Sequence, residues 1–193
     1  MTCLLHWNRK TVKHNPALPL TKRTDFMLIS ELLGPENIHL DVQTTSKKRL
    51  LEIISEQLAR NSSDDSAREI FESMCARERL GSTGLGKGVA IPHGRVSGNR
   101  SIQASFIRLK YPLPFDSTDG EPVDLLFAMT VPEDSTEDHL KLLAHIAELF
   151  SNPELLKGLR EASDSSTLLQ LLNDNRPGSP PLNRTVGRPG TRP

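Results

Sequence analysis

Apolar residues recur along this chain in two rhythms. Leu50, Leu51, Ile54 and Leu58 share one helical face, and Ser46 can cap it, so a helix is expected from Ser46 to about Arg60. A second helix is expected from about Asp65 to Arg79, with Ile70, Phe71 and Met74 turned inward. "NIHLDV" (37–42) reads as a short strand, and "GVAIPH" as another, stopped by Pro92. "IQASFIRLK" (102–110) and "PVDLLFAMTV" (122–131) are the strongest strands. The second is apolar almost throughout, as a strand covered on both faces should be. "YPLPFDSTDGEP" between them carries turn signals. Ser135 and Asp138 match a capping box, so a long helix should run from Ser135 to about Ser151. "PELLKGLREA" and "SSTLLQLLND" then predict two shorter helices. No internal repeat is visible. The pattern predicts an α/β three-layer sandwich, a small mixed β-sheet with helices on both faces.

The flanks look different. Residues 1–26 are polar and basic without periodicity, and are expected to be a disordered arm or an extension preceding a natural start at Met27. Residues 27–174 form the expected domain, and 175–193 a disordered Pro- and Gly-rich tail. The 193 residues hold 24 Lys plus Arg against 24 Asp plus Glu, and aromatics make up 4%. That balance supplies neither the basic face nor the stacking platform of a nucleic-acid binder. Cys3 and Cys75 have no metal-ligand spacing and suggest no disulfide framework, which fits a reducing cytoplasm. No apolar run approaches a membrane span, and the N-terminus lacks the apolar core of a signal peptide.

"GSTGLGKGVAIPHGRV" (81–96) is the chemically suggestive stretch. Gly81 to Lys87 fits G-x-x-x-x-G-K, but Gly88 stands where a P-loop needs Ser or Thr for magnesium. The order is also wrong, with a helix before and a strand after. G-x-G-x-x-G fails because Val89 occupies the third glycine position. The glycines are left with two readings, a tight connection or a loop whose N–H groups face an anion. His93 also has two. It is a hydrogen-bonded structural residue, or a reactive imidazole at a sheet rim, stiffened by Pro92 and released by Gly94. His139 falls on the apolar face with Leu142, Leu143 and Ile146, as a structural or a pocket residue. His145 falls on the polar side with Asp138, Lys141 and Glu148. No third ligand at recognisable spacing supports a metal site.

Together these segments resemble a family. "RERLGSTGLGKGVAIPHGRV" (77–96) is similar to the active-site segment of type-2 enzyme IIA domains of the bacterial phosphotransferase system, most of all the nitrogen-regulatory branch. "SKKRLLEIISEQLAR", "EPVDLLFAMTVPED" and "HLKLLAHIAELF" follow in the family's order, so the resemblance covers about residues 27–174. It implies a cytoplasmic phosphotransferase-type phosphocarrier with a phosphohistidine intermediate. His93 would be the phosphoryl acceptor, with His139 and Arg77 lining the site and Ser82 and Thr83 as further phosphate-binding donors. The donor would be an HPr-like phosphocarrier protein, and no cofactor or metal is implied. In the nitrogen-regulatory branch the output goes to regulatory target proteins, such as potassium-transport proteins or sensor kinases. The alternatives are a sugar-transport enzyme IIA passing phosphate to a IIB domain, and a non-enzymatic binding module. The lack of room for a IIB or IIC partner favours the regulator, and intact His93, His139 and Arg77 argue against the module.

Overall fold

The computed structural model describes residues 29–60, 66–97, 101–134 and 137–175. The expected arm at 1–26, the helix start at Asp65, the Ser135 cap and the tail after Asn175 lie outside them. In chain order the elements are α1 (Ile29–Leu32), a 3-10 turn (Pro35–Asn37), β1 (Ile38–Val42), α2 (Lys47–Arg60) and α3 (Ala67–Arg79). Then come β2 (Gly84–Gly86), β3 (Val89–Ala90), β4 (His93–Val96), β5 (Gln103–Leu113) and β6 (Val123–Pro132). Three helices finish the described chain: α4 (Glu137–Leu149), α5 (Pro153–Glu161) and α6 (Ser165–Asp174).

The apolar run of β6 sits inside a six-stranded mixed sheet ordered β1-β5-β6-β3-β2, with β4 also paired to β6. β5 runs antiparallel to β6, while β3 and β4 run parallel to it. Alternate β6 residues enter two cores. Leu125, Phe127 and Met129 pack with Ile146 of α4, Leu156 of α5 and Leu168 of α6. Leu126 and Ala128 pack with Ile54 of α2 and Met74 of α3 on the other face. Each such large side chain contributes about 1.5–3 kcal/mol on burial, which is why a strand apolar on both faces belongs between two helix layers. The three-layer α/β sandwich expected from the sequence is therefore the fold observed.

Local chemistry sets the helix ends. Ser46 Oγ accepts the Arg49 N–H at 3.2 Å before α2. Ser66 and Glu69 form a capping box on α3, one residue past the expected Asp65 start. Asn152 caps α5, whose first residue is Pro153, and Asp164 caps α6.

Two features depart from the sequence expectation. Pro92 interrupts a strand and does not end it. β3 pairs Val89 with Leu125, and β4 resumes by pairing His93 with Met129 and Gly94 with Thr130. Pro92 has no N–H to give the ladder, yet its carbonyl accepts the Met129 N–H at 3.1 Å. Nor does Gly94 release the chain. It lies within β4, where a Cβ would meet Ser73 Oγ at 2.7 Å and the Met74 nitrogen at 3.1 Å, so glycine here lets α3 approach. The second departure is β2, which forms a hairpin with β3. Its two-residue turn, Lys87 at φ 54° and Gly88 at φ 78°, has the positive dihedrals of a type I′ turn. The lysine of the P-loop-like string is the first residue of this turn, and Lys87 Nζ donates to Ser151 O at 3.2 Å.

Arg108 of β5 ties the sheet to α5. Its Nη1 donates to the carbonyls of Leu159, Arg160 and Ala162 at 3.2, 3.0 and 2.6 Å, and Nη2 to Asp41 Oδ1 at 3.1 Å. Only 12% of the side chain is exposed. Truncation would leave carbonyls at the end of α5 without this donor. Arg108→Ala should cost about 2–3 kcal/mol, read as a lower urea midpoint with an unchanged slope.

Candidate functional site

The last turn of α3, the loop after it and the β3–β4 bend converge on His93. The imidazole is 7% exposed. Its Nδ1 lies 2.8 Å from Ile91 O, across the Pro92 bend. Arg77 Nε donates to its Nε2 at 3.0 Å. A carbonyl can only accept and a guanidinium can only donate, so these two contacts assign the tautomer. Nδ1 carries the proton, and Nε2 carries the lone pair.

The His139 ring stands against this imidazole edge to face, with centroids 5.2 Å apart and planes at 71°. His139 is 4% exposed, and neither of its ring nitrogens has a hydrogen-bond partner among the described residues. The sequence expectation of a histidine on the buried face of α4 thus holds, with the ring aimed at His93. His145 is half-buried, less solvated than its polar-side position suggested.

Both imidazoles are held neutral. Burial lowers the pKa of His93; the Ile91 carbonyl opposes this, and the Arg77 charge reinforces it. His139 is pushed down to about 4, first by burial and then by His93, Arg95 and Arg77. A neutral imidazole with a lone pair on Nε2 is a nucleophile at neutral pH.

Arg77 does not pair with its neighbour Glu78. Its Nη1 donates to Gly81 O at 3.0 Å, which fixes the guanidinium between the loop and His93. Glu78 turns the other way. Its carboxylate accepts the Thr83 N–H at 3.2 Å and the Thr83 hydroxyl at 2.6 Å, and pairs with Lys47 Nζ at 2.7 Å. Lys47 also donates to Phe115 O at 3.0 Å and lies 4.3 Å from the centre of the Phe115 ring. Ser82 Oγ donates to Phe115 O at 2.6 Å and accepts the Gly84 N–H at 3.1 Å. The structure therefore brings His93, His139 and Arg77 together. It spends the Ser82 and Thr83 hydroxyl protons on bracing the loop.

Sequence reasoning missed Glu78 and Lys47, which meet only through the fold. It also missed Arg95, whose signal was available: two residues beyond His93 on a strand is the same face. Three exposed leucines lie on the segments that carry the site. Leu80 follows α3, Leu85 is in β2 and Leu140 adjoins His139, at 86%, 43% and 64% exposure.

The buried His139 links the site to stability. Its ordinary value is 6.5, and its folded value is about 4. Between these the unfolded chain binds the extra proton, so stability falls as pH drops from 6.5 towards 4. His139→Gln removes the titrating group, and its stability curve over that window should be flatter than the wild-type curve by as much as about 3 kcal/mol. Urea unfolding at stepped pH measures this, and parallel curves would contradict a neutral buried His139.

Comparison with known proteins gives the family. Residues 31–175 match the family model described as "Phosphoenolpyruvate-dependent sugar phosphotransferase system, EIIA 2". A protein named nitrogen regulatory protein from Pseudomonas aeruginosa is 43% identical over 150 residues, covering 78% of this chain and 97% of the relative. The nitrogen regulatory protein of Escherichia coli K12 is 38% identical over 163 residues, 83% of this chain and 98% of the relative. The crystal structure of nitrogen regulatory protein IIA-Ntr from Neisseria meningitidis superposes with a TM-score of 0.72 at 44% identity, covering 75% of this chain and 98% of that one. With a family match across the folded segments and relatives that similar over nearly their whole length, this chain belongs to the EIIA 2 family of the phosphotransferase system.

Proposed function

We propose that this protein is a regulatory phosphocarrier that accepts a phosphoryl group on Nε2 of His93 from the phosphohistidine of an HPr-like carrier. The observation that carries the reading is the pair of hydrogen bonds on His93. The Ile91 carbonyl holds the proton on Nδ1, so the nucleophilic lone pair is on Nε2, the nitrogen facing Arg77. In the transfer, the donor's N–P bond breaks and its electron pair returns to the donor ring. The His93 Nε2 lone pair forms the new N–P bond.

Transfer between two imidazoles needs alignment and stabilisation of the charge on the phosphoryl oxygens, with little further covalent chemistry. Arg77 supplies a fixed cation with forked donors. His139 supplies a buried nitrogen without a partner among the described residues, available to donate to a phosphoryl oxygen. Ser82 and Thr83 act one step back, by holding the loop that positions Arg77. The exposed leucines around the site offer apolar area for a docking protein.

A regulatory output is favoured by the names of the relatives at 38–43% identity, which are nitrogen regulatory proteins. The physics supports it. A phosphoryl group adds about −1.5 to −2 charges to a rim edged by apolar side chains, so a partner that packs on the bare surface loses affinity for the modified one. Target proteins such as potassium-transport proteins or sensor kinases would then read the phosphorylation state. A relay from an HPr-like carrier places the protein in the cytoplasm, and among the described residues no helix is long and apolar enough to cross a membrane.

The test is in vitro transfer from a phosphorylated HPr-like carrier. Wild type should gain one phosphoryl group by intact mass, acid-labile and on Nε2 by NMR. His93→Ala should gain none. His139→Ala should accept it at least about 10²-fold more slowly, as expected for loss of a donor to developing charge. Labelling of His93→Ala at the wild-type rate, or an unlabelled wild type, would refute the assignment.

A further inference from the structure

Arg77 enters the transfer with part of its guanidinium already engaged. Before the reaction its Nε–H is spent on the His93 Nε2 lone pair, and its Nη1 on Gly81 O. When that lone pair becomes the N–P bond, the Nε–H loses its acceptor. Arg77 must then reorient while a group of nearly two negative charges arrives. Its neighbour Glu78 adds a further negative charge on the same turn. One guanidinium caught between two tasks leaves room for another.

Arg95 is placed to be that second cation. Within β4, position 94 faces α3, because a Cβ there would meet Ser73 and Met74, and Val96 enters the α2–α3 core. Side chains alternate along a strand, so His93 and Arg95 project together towards the opposite face, the one from which His139 approaches. Arg95 is exposed, and its guanidinium has no hydrogen bond or ion pair among the described residues. It is nevertheless within electrostatic reach of the reaction centre, since its charge helps to keep protons off both His93 and His139. Against His139 its influence ranks above that of Arg77.

We infer that Arg95 is the second phosphoryl-binding cation of this site, engaging the phosphoryl oxygens during transfer and in the phosphorylated protein while Arg77 releases Nε2. The assignment rests on the phosphocarrier reading. Its chemistry is charge-assisted hydrogen bonding from a forked donor that has no partner among the described residues. No bond other than the N–P pair changes. Because the Arg95 side chain is solvent-exposed and holds no other described group, its truncation should leave the fold intact.

The experiment compares wild type, Arg95→Ala, Arg95→Lys and the charge control Arg79→Ala, a cation removed from an exposed position on α3. Single-turnover transfer from phosphorylated HPr-like carrier is followed across carrier concentrations, and the transfer equilibrium is measured from both directions. Arg95→Ala should lower the saturating rate by about 10- to 100-fold and shift the equilibrium towards the donor, with Arg95→Lys between it and wild type. Arg79→Ala should match wild type. In the unphosphorylated protein, NMR should show His139 titrating at higher pH in Arg95→Ala and not in Arg79→Ala. Arg95→Ala within about two-fold of the control in both rate and equilibrium would overturn the inference while leaving the carrier reading standing. So would a loss confined to carrier affinity at an unchanged saturating rate, which is a docking role. A wild type that accepts no phosphoryl group removes the carrier reading, and this assignment with it.

Discussion

A strand that pairs with β6 cannot donate a ladder hydrogen bond through a proline, and the site follows from that constraint. At Pro92 the edge beside β6 loses one donor, and the chain bends before pairing resumes at His93. The bend lets the His93 side chain fold back on the carbonyl two residues earlier, and Ile91 O takes the Nδ1 proton. Tautomer, ring orientation and the exit direction of Nε2 are thereby fixed by backbone. The glycine after the histidine serves the same end. It brings α3 close enough to β4 for Arg77, one turn beyond Met74, to reach Nε2.

The loop between α3 and β2 keeps that arrangement rigid without using the histidines. Glu78 gathers the Thr83 amide, the Thr83 hydroxyl and the Lys47 ammonium. Lys47 in turn anchors to the Phe115 carbonyl and Asp116. Two neighbours in sequence, Arg77 and Glu78, thus point to different tasks. One charge faces His93 Nε2, and the other holds the frame. Adjacent residues on a helix do not face each other, which is what sends the two charges to different partners.

How much of this was readable beforehand depends on whether a residue's role is local. β6 was legible because burial on both faces leaves an unbroken apolar run. α2 and α3 were legible because Leu50, Ile54, Ile70 and Met74 repeat at the helical period. β2 was not, since glycines carry no pattern of faces and its pairing is decided by the turn dihedrals of Lys87 and Gly88. The fate of Pro92 was readable only in part. A proline announces a missing donor, while whether the strand resumes depends on β6 being longer than the segment before it. His93, His139 and Arg77 came from resemblance together with periodicity, and the fold brings them together. The Glu78–Lys47 frame joins residues 31 positions apart, so no window of sequence contains it. The loop hydroxyls of Ser82 and Thr83 looked like free donors because their acceptors, Phe115 O and Glu78, are likewise set by tertiary contact.

The His139 ring, without a partner among the described residues, connects the structure to the phosphocarrier reading. A buried imidazole with both nitrogens unbonded costs about 1–3 kcal/mol per unmet group, a penalty a folded core rarely retains without compensation. Here the surroundings also oppose the usual remedy of protonation, since burial, His93 and two arginines all keep the ring neutral. On the phosphocarrier reading proposed above, a phosphoryl dianion on His93 would oppose these terms. It supplies acceptor oxygens, and it outweighs the nearby positive charges. At an effective dielectric constant of about 20 it attracts an imidazolium several ångströms away by several kcal/mol. On that reading, the penalty at His139 would be relieved by the phosphoryl group itself, which is differential binding of the modified state built from the residues that keep His93 neutral.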